Sequence, residues 1–198
     1  MASRDPSDLS IYDLQARLAA RAESLVGQAG DFRVGRERFP ADCTGFVEAV
    51  YQAEGVPLRA MMRRAAPREQ TGVEAAWQAM EAYGRIVHDG TWPSPGDLVF
   101  WHDTYDRNGN GRADDGLTHV GIVLYVVDRT VVFIHRGSKA VARGSMDTRR
   151  PDEARSASGE VLNSFIRKKD PRLDRVPVLA GALFSGYGRL DPSRLPVP

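Results

Sequence analysis

Apolar residues recur at helical spacing near the start of the chain, where Ile11, Leu14, Leu18, Ala22 and Leu25 lie three or four apart. Asp8-Leu9-Ser10 can cap this helix, and Gly27 and Gly30 end it. Phe46, Val47, Val50 and Tyr51 predict a second helix from Thr44 to Gly55, stopped by Gly55 and Pro57. Val73, Ala76, Trp77, Met80 and Tyr83 form the core-facing stripe of a third helix over residues 68–84. The period then shortens. Pro93 and Pro95-Gly96 lead into a strand at Asp97–Trp101, and a β-branched run predicts another over His119–Val127. Asp128-Arg129 turns the chain into Val131–Ile134, giving a hairpin. Residues 137–160 are polar with little periodicity, and Val161-Leu162 with Phe165-Ile166 suggest one further strand. Five prolines between Pro171 and Pro198 argue against a long terminal helix. Helices followed by an antiparallel meander predict an α+β domain in preference to a parallel βαβ fold.

Composition narrows the class. The 198 residues suit one domain, 1–198, with an N-terminal helical extension and an inserted loop at 103–116. Lys+Arg 27 against Asp+Glu 26 gives a formal charge of +1, so no nucleic-acid partner is expected for the chain as a whole. Arg59, Arg63, Arg64 and Arg68, and the run Arg167-Lys168-Lys169, read as solvated faces, with anionic-polymer binding as the alternative. No stretch approaches the roughly 20 apolar residues of a transmembrane segment. The polar lead-in Met1–Asp8 has no apolar core of a secretory signal peptide.

A single cysteine has no internal disulfide partner, which leaves buried bulk or nucleophilic chemistry. Cys43 lies in Asp42-Cys43-Thr44-Gly45-Phe46, at the start of the second helix. A free thiol titrates near about 8.5, so thiolate must come from the positive helix end or from a histidine that takes the proton. His119 suits that base, and His135 suits an acceptor orienting its other ring nitrogen. The same residues also fit a buried cysteine with two ordinary hydrogen-bonded histidines, or a zinc site, and spacing does not choose among these.

Strand register matters to the first reading. A two-residue turn at Asp128-Arg129 sets His135 opposite Ile122, facing away from His119. A three-residue turn centred on Asp128, or a bulge of equal effect, sets it opposite Gly121 and about 7 Å diagonally from His119.

Four segments together resemble the NlpC/P60 family of papain-like cell-wall cysteine peptidases. They are Asp42-Cys43-Thr44-Gly45-Phe46-Val47, Pro95-Gly96-Asp97-Leu98-Val99-Phe100, Thr118-His119-Val120-Gly121-Ile122-Val123 and Phe133-Ile134-His135, spread over roughly residues 30–140. The resemblance implies a papain-like α+β domain with N-terminal helices packed on an antiparallel sheet. It makes Cys43 the nucleophile, His119 the general base and His135 the residue orienting it. It implies hydrolysis of an amide in peptidoglycan stem peptides, commonly D-Glu to a diamino acid, through an acyl-enzyme, with no cofactor required. The Cys43 backbone N–H is the natural oxyanion donor. The partners implied are peptidoglycan or muropeptides, with a delivery or immunity partner open, and the site of action is periplasmic or extracellular.

Two departures stand out. Phe32-Arg33-Val34-Gly35 occupies the place of a Tyr-x-Trp-Gly segment, so no tyrosine hydroxyl is supplied there, and Thr44 replaces the commoner serine. The loop 103–116 sets Asp106, Asn108 and Asn110 ahead of Gly111, as in the first half of a calcium loop. Leu117 holds the twelfth position, so Asp114 or Asp115 would have to replace the usual Glu. A structural calcium ion and a metal-free turn whose side chains bond its own backbone are the two readings.

Arg36, Arg38 and Arg136 are candidate partners for substrate carboxylates, because guanidinium matches that planar group. Two rival functions are acyltransferase or amidase chemistry on another acyl substrate, and a catalytically inactive cell-wall-binding module.

Overall fold

A computed structural model describes residues 11–66, 70–88, 92–167 and 177–195. The caps proposed at Asp8 and Ser10, and the basic residues Arg68, Lys168 and Lys169, lie outside these. Four helices come first: α1 (Ile11–Ser24), α2 (Cys43–Ala53), α3 (Leu58–Ala65) and α4 (Gly72–Tyr83). A small hairpin, β1 (Phe32–Val34) with β2 (Glu37–Phe39), lies between α1 and α2. The remaining strands are β3 (Gly84–Val87), β4 (Leu98–His102), β5 (Leu117–Val127), β6 (Thr130–Arg136), β7 (Val141–Met146) and β8 (Phe184–Leu190). They form one six-stranded sheet in the order β3-β8-β4-β5-β6-β7, with every pair antiparallel. The fold is α+β as expected, but the meander is interrupted because β8 returns to lie between β3 and β4.

Alternation along the strands sends side chains to two cores. Leu98, Phe100, Val120, Ile122 and Ile134 pack with the helices. Val99, Trp101, Val123, Phe133 and Met146 pack on the other face with Ala180, Leu183 and Tyr187. Asp97 ties the layers together. Its buried carboxylate accepts from Arg189 on β8 at 2.8 Å, from Ser94 N–H at 2.8 Å and from Gln15 on α1 at 3.3 Å. Gly96, at φ +82°, permits the close passage of α1, since an added Cβ would lie 2.7 Å from Gln15 O. The Pro95-Gly96-Asp97 segment is therefore a structural clamp at the start of β4.

Several elements depart from the sequence reading. The third helix begins at Gly72, where Thr71 and Glu74 form a capping box. Helix α3 escapes prediction because five of its eight residues are Arg or Ala, although Leu58, Met61 and Met62 are buried at helical spacing. Residues 31–42 hold the β1–β2 hairpin, which no hydrophobic period announces and whose Phe32 and Phe39 are buried. The strand expected from Val161-Leu162 and Phe165-Ile166 does not form. Only isolated bridges, Arg155 to Val161 and Phe165 to Leu179, occur there. The Asn163 side chain holds this irregular segment instead, accepting from Asp147 N–H and Gly181 N–H and donating to Arg150 O and Glu153 O. No helix among the described residues is long and apolar enough to cross a membrane.

Candidate active site

Cys43 is the first residue of α2, and Asp42 caps that helix by accepting from Gly45 N–H at 2.7 Å. Gly45 is required by close packing, since a Cβ there would fall 2.1 Å from Pro40 O. The start of α2 is thus pinned against the loop that precedes it. The Cys43 sulfur meets the backbone N–H groups of Val120 and Thr44, which brings the thiol beside β5 one residue after His119.

His119 faces Trp101 across the β4–β5 pair, with ring centroids 5.7 Å apart. Its Nε2 is hydrogen-bonded to His135 Nδ1 at 2.8 Å. The two rings meet edge-on at 85°, and Phe133 packs against His135 at 5.4 Å. Register explains the pairing. The hairpin turn is the two-residue Asp128-Arg129, with Val127 opposite Thr130, yet His135 lies opposite Gly121. An irregularity between Val123 and Tyr125 leaves Leu124 unpaired and shifts the ladder by one residue. The bulge supplies what a longer turn would have supplied. Gly121 leaves room for the result, because a Cβ there would sit 2.8 Å from Ile134 O and 3.2 Å from His135 Cβ.

Burial keeps this group uncharged. It pushes the Cys43 thiol above its ordinary value, with Asp42 adding to the rise and the Val120 N–H opposing it. It also holds His119 well below the usual imidazole value, helped by repulsion from His135, and lowers His135 to about 4. Near neutrality the site is a thiol beside two neutral imidazoles, an arrangement suited to proton removal during attack rather than to a standing ion pair.

Cys43, His119 and His135 line one cleft of about 840 Å³. Its hydroxyls come from Thr44, Thr71, Thr104, Tyr105, Thr118 and Ser138. Phe32 is not among the lining residues. It is buried behind them, 5.8 Å from the Phe46 ring, so its lost hydroxyl leaves a packed aromatic pair.

The inserted loop walls the cleft through Thr104 and Tyr105, and Thr104 N–H donates to Thr118 Oγ1 at 2.8 Å, directly before His119. Within the loop, Asp106 accepts from Gly111 N–H, Asn108 from Asn110 N–H and Asn110 from Arg112 N–H. Asp115 accepts from the backbone N–H groups of Arg107 and Asn108, and Asp114 from the Asn108 and Asn110 amides. These bonds are those of an Asx-rich turn. Among the described residues, no group of three or more His, Cys, Asp or Glu is arranged to hold a metal ion.

Of the candidate carboxylate partners, Arg136 lines the cleft. Arg36 is exposed at the β1–β2 turn and Arg38 pairs with Asp31, both outside the lining. Sequence reading missed Thr71 and the far wall formed by Phe165, Ile166 and Arg167. Arg167 stood only in a basic run, and no periodicity marks the segment that carries it.

The sequence pattern of the NlpC/P60 family matches residues 29–156, more than half of the chain. The chain belongs to the NlpC/P60 family. A solved structure from Staphylococcus aureus subsp. aureus Mu50, described as similar to a lipoprotein of the NLP/P60 family, is 21% identical with a TM-score of 0.37. That match covers 71% of this chain and 39% of the other, so this chain spans well under half the length of that solved relative. No curated protein matches. The family match ends before Phe165, Ile166 and Arg167, so one wall of the cleft comes from outside the matched region.

Proposed function

We propose that this NlpC/P60 protein is a cysteine peptidase that hydrolyses an amide of peptidoglycan stem peptides, the bond from D-Glu to a diamino acid. The observation that carries the reading is the convergence of Cys43 and the hydrogen-bonded His119–His135 pair in one cleft. With His119 Nε2–H donating to His135 Nδ1, the lone pair of His119 Nδ1 is left to act as base. Cys43 sulfur forms a bond to the amide carbonyl carbon as its proton passes to His119, and the carbonyl electrons move to oxygen. The Cys43 backbone N–H, at the N-terminus of α2, is the natural donor to that oxyanion. The C–N bond then breaks as His119 returns the proton to the leaving amine. Water, deprotonated by His119, cleaves the thioester. Peptidoglycan lies outside the bacterial cytoplasm, so this reading sets the site of action in the periplasm or outside the cell, reached with a delivery partner or by an export route of its own.

Mass spectrometry of muropeptides incubated with wild-type protein and with Cys43→Ala tests the proposal. The wild type is expected to release two products cut after D-Glu, whose masses sum to that of the substrate plus one water. A folded Cys43→Ala protein is expected to lose turnover by at least about 1,000-fold, the scale of removing a nucleophile. Unchanged turnover in that variant would sink the mechanism, and products joined to an added amine would indicate acyl transfer instead.

A further inference from the structure

We infer that the cleft holds a subsite for a substrate carboxylate flanking the scissile amide, with the Arg136 guanidinium as its anchor. The inference rests on the peptide-hydrolase reading for the identity of the substrate, but its geometry stands apart from the Cys43 chemistry. Arg136 is 8% exposed, follows His135 directly and lines the same cleft as Cys43. Its Nη2 donates to Ala29 O at 2.7 Å and its Nη1 to Gly137 O, so two backbone carbonyls fix the head group at the wall. Its Nε is enclosed with no hydrogen-bond partner.

A cation buried to this degree normally has a counterion, because desolvation without one is costly. Arginines less buried than Arg136 obey that rule: Arg59, 28% exposed, meets Glu48 at 2.7 Å and Arg189, 18% exposed, meets Asp97 at 2.8 Å. No carboxylate among the described residues pairs with Arg136. Among the described residues the cleft does not supply one, for the only acidic one lining it is Asp42, whose carboxylate caps α2. Arg167, 5% exposed, adds a second guanidinium to the lining and donates to Asp103 O. A cleft with two arginines, a helix N-terminus and one engaged carboxylate selects an anionic ligand. On a stem peptide that group has two sources beside the bond in question: the α-carboxylate of D-Glu, or a carboxylate of the diamino acid.

The test measures binding of defined stem peptides to the Cys43→Ala protein by titration calorimetry, which requires no turnover. Three peptides are compared: one with all carboxylates free, one amidated at the D-Glu α-carboxyl, and one amidated on the diamino acid. One amidated peptide is expected to bind roughly ten- to hundredfold more weakly than the free acid, the scale of a charge-assisted hydrogen bond. Which one it is identifies the source. Adding Arg136→Gln is expected to erase the difference between acid and amide, an outcome that loosening of the fold alone would not produce. Should that variant fail to fold, the acid-to-amide ratio with Arg136 intact, and Arg136→Lys, decide the matter. Equal binding of all three peptides, no binding of any, or a ratio untouched by Arg136 substitution would overturn the subsite. Wild-type turnover is read separately. Cleavage indifferent to amidation removes the subsite and leaves the hydrolase, whereas carboxylate-dependent binding without cleavage does the reverse.

Discussion

His119 and His135 are packed against Trp101 and Phe133, and that packing sets their charge. In the proposed mechanism His119 is the base and works only in its neutral form, and burial followed by repulsion from His135 holds its value well below 6.5. The sign is therefore fixed: as pH falls, His119 stays neutral through 6.5 and is lost to protonation only at lower pH. The thiol, raised by burial, adds no acid limb when its proton leaves during attack. We expect kcat/KM on a stem peptide to be flat from pH 7 down through 6.5, with its acid limb centred below 6.5. A limb centred above that value would mean that the His119 value is not depressed, and the neutral-imidazole reading would fail. The same packing explains why the chemistry was only half legible in sequence. Cys43 and His119 stand in strong local patterns, but the neutrality of the site depends on aromatic neighbours that only the sheet brings together.

The hairpin of β5 and β6 carries two of the three residues, and its register follows from a local irregularity rather than from hydrophobic pattern. Alternation in Val120–Val127 fixes a strand, but no residue type announces that Leu124 will be left out of the ladder. The two possible registers were visible in the sequence, and the choice between them was not. The turn is also unusual. Asp128 and Arg129 have φ of 45° and 74°, the left-handed region that a two-residue turn of this hand demands and that Asn-Gly adopts most readily. Arginine pays a steric penalty there of about 1 kcal/mol. Replacing Asp128-Arg129 with Asn-Gly is expected to stabilise the protein by about 1 kcal/mol, read from chemical denaturation, while Cys43 activity is unchanged. A loss of stability would show that the Arg129 side chain contributes more than its backbone strain costs. The strands β7 and β8 were illegible for a different reason. Arg143, Gly144 and Ser145 break the pattern of β7, where Gly144 leaves space for the Phe133 ring, and in β8 Gly186 packs beneath Trp77 and Gly188 beneath Met80.

At the scale of the molecule, α1 and β8 come from opposite ends of the described chain and meet at one buried carboxylate. Asp97 is 2% exposed and Arg189 bonds both of its oxygens, while Gln15 and the Ser94 N–H complete its shell. The Pro-Gly-Asp segment was legible as the lead into β4, but its partner was not, because β8 lies some ninety residues away in a segment without strand periodicity. Burial pushes the Asp97 carboxyl up and Arg189 pulls it down, so the arginine is what keeps the charged form tolerable in the core. Truncating Arg189 to Ala leaves that carboxylate with its amide donors but no counterion, and the expected cost is about 3–5 kcal/mol. For a chain of this size that corresponds to a melting temperature lower by roughly 10 °C. Removing both charges in an Asp97→Asn, Arg189→Met protein is expected to recover much of the loss, because the penalty is one of unpaired burial rather than of a missing attraction. Thermal unfolding of wild type, both single variants and the double variant gives the coupling directly. Additive losses would mean that Asp97 is held by its backbone and Gln15 donors alone, and that β8 reaches its central place in the sheet through packing against Trp77, Met80 and Phe100 without the ion pair.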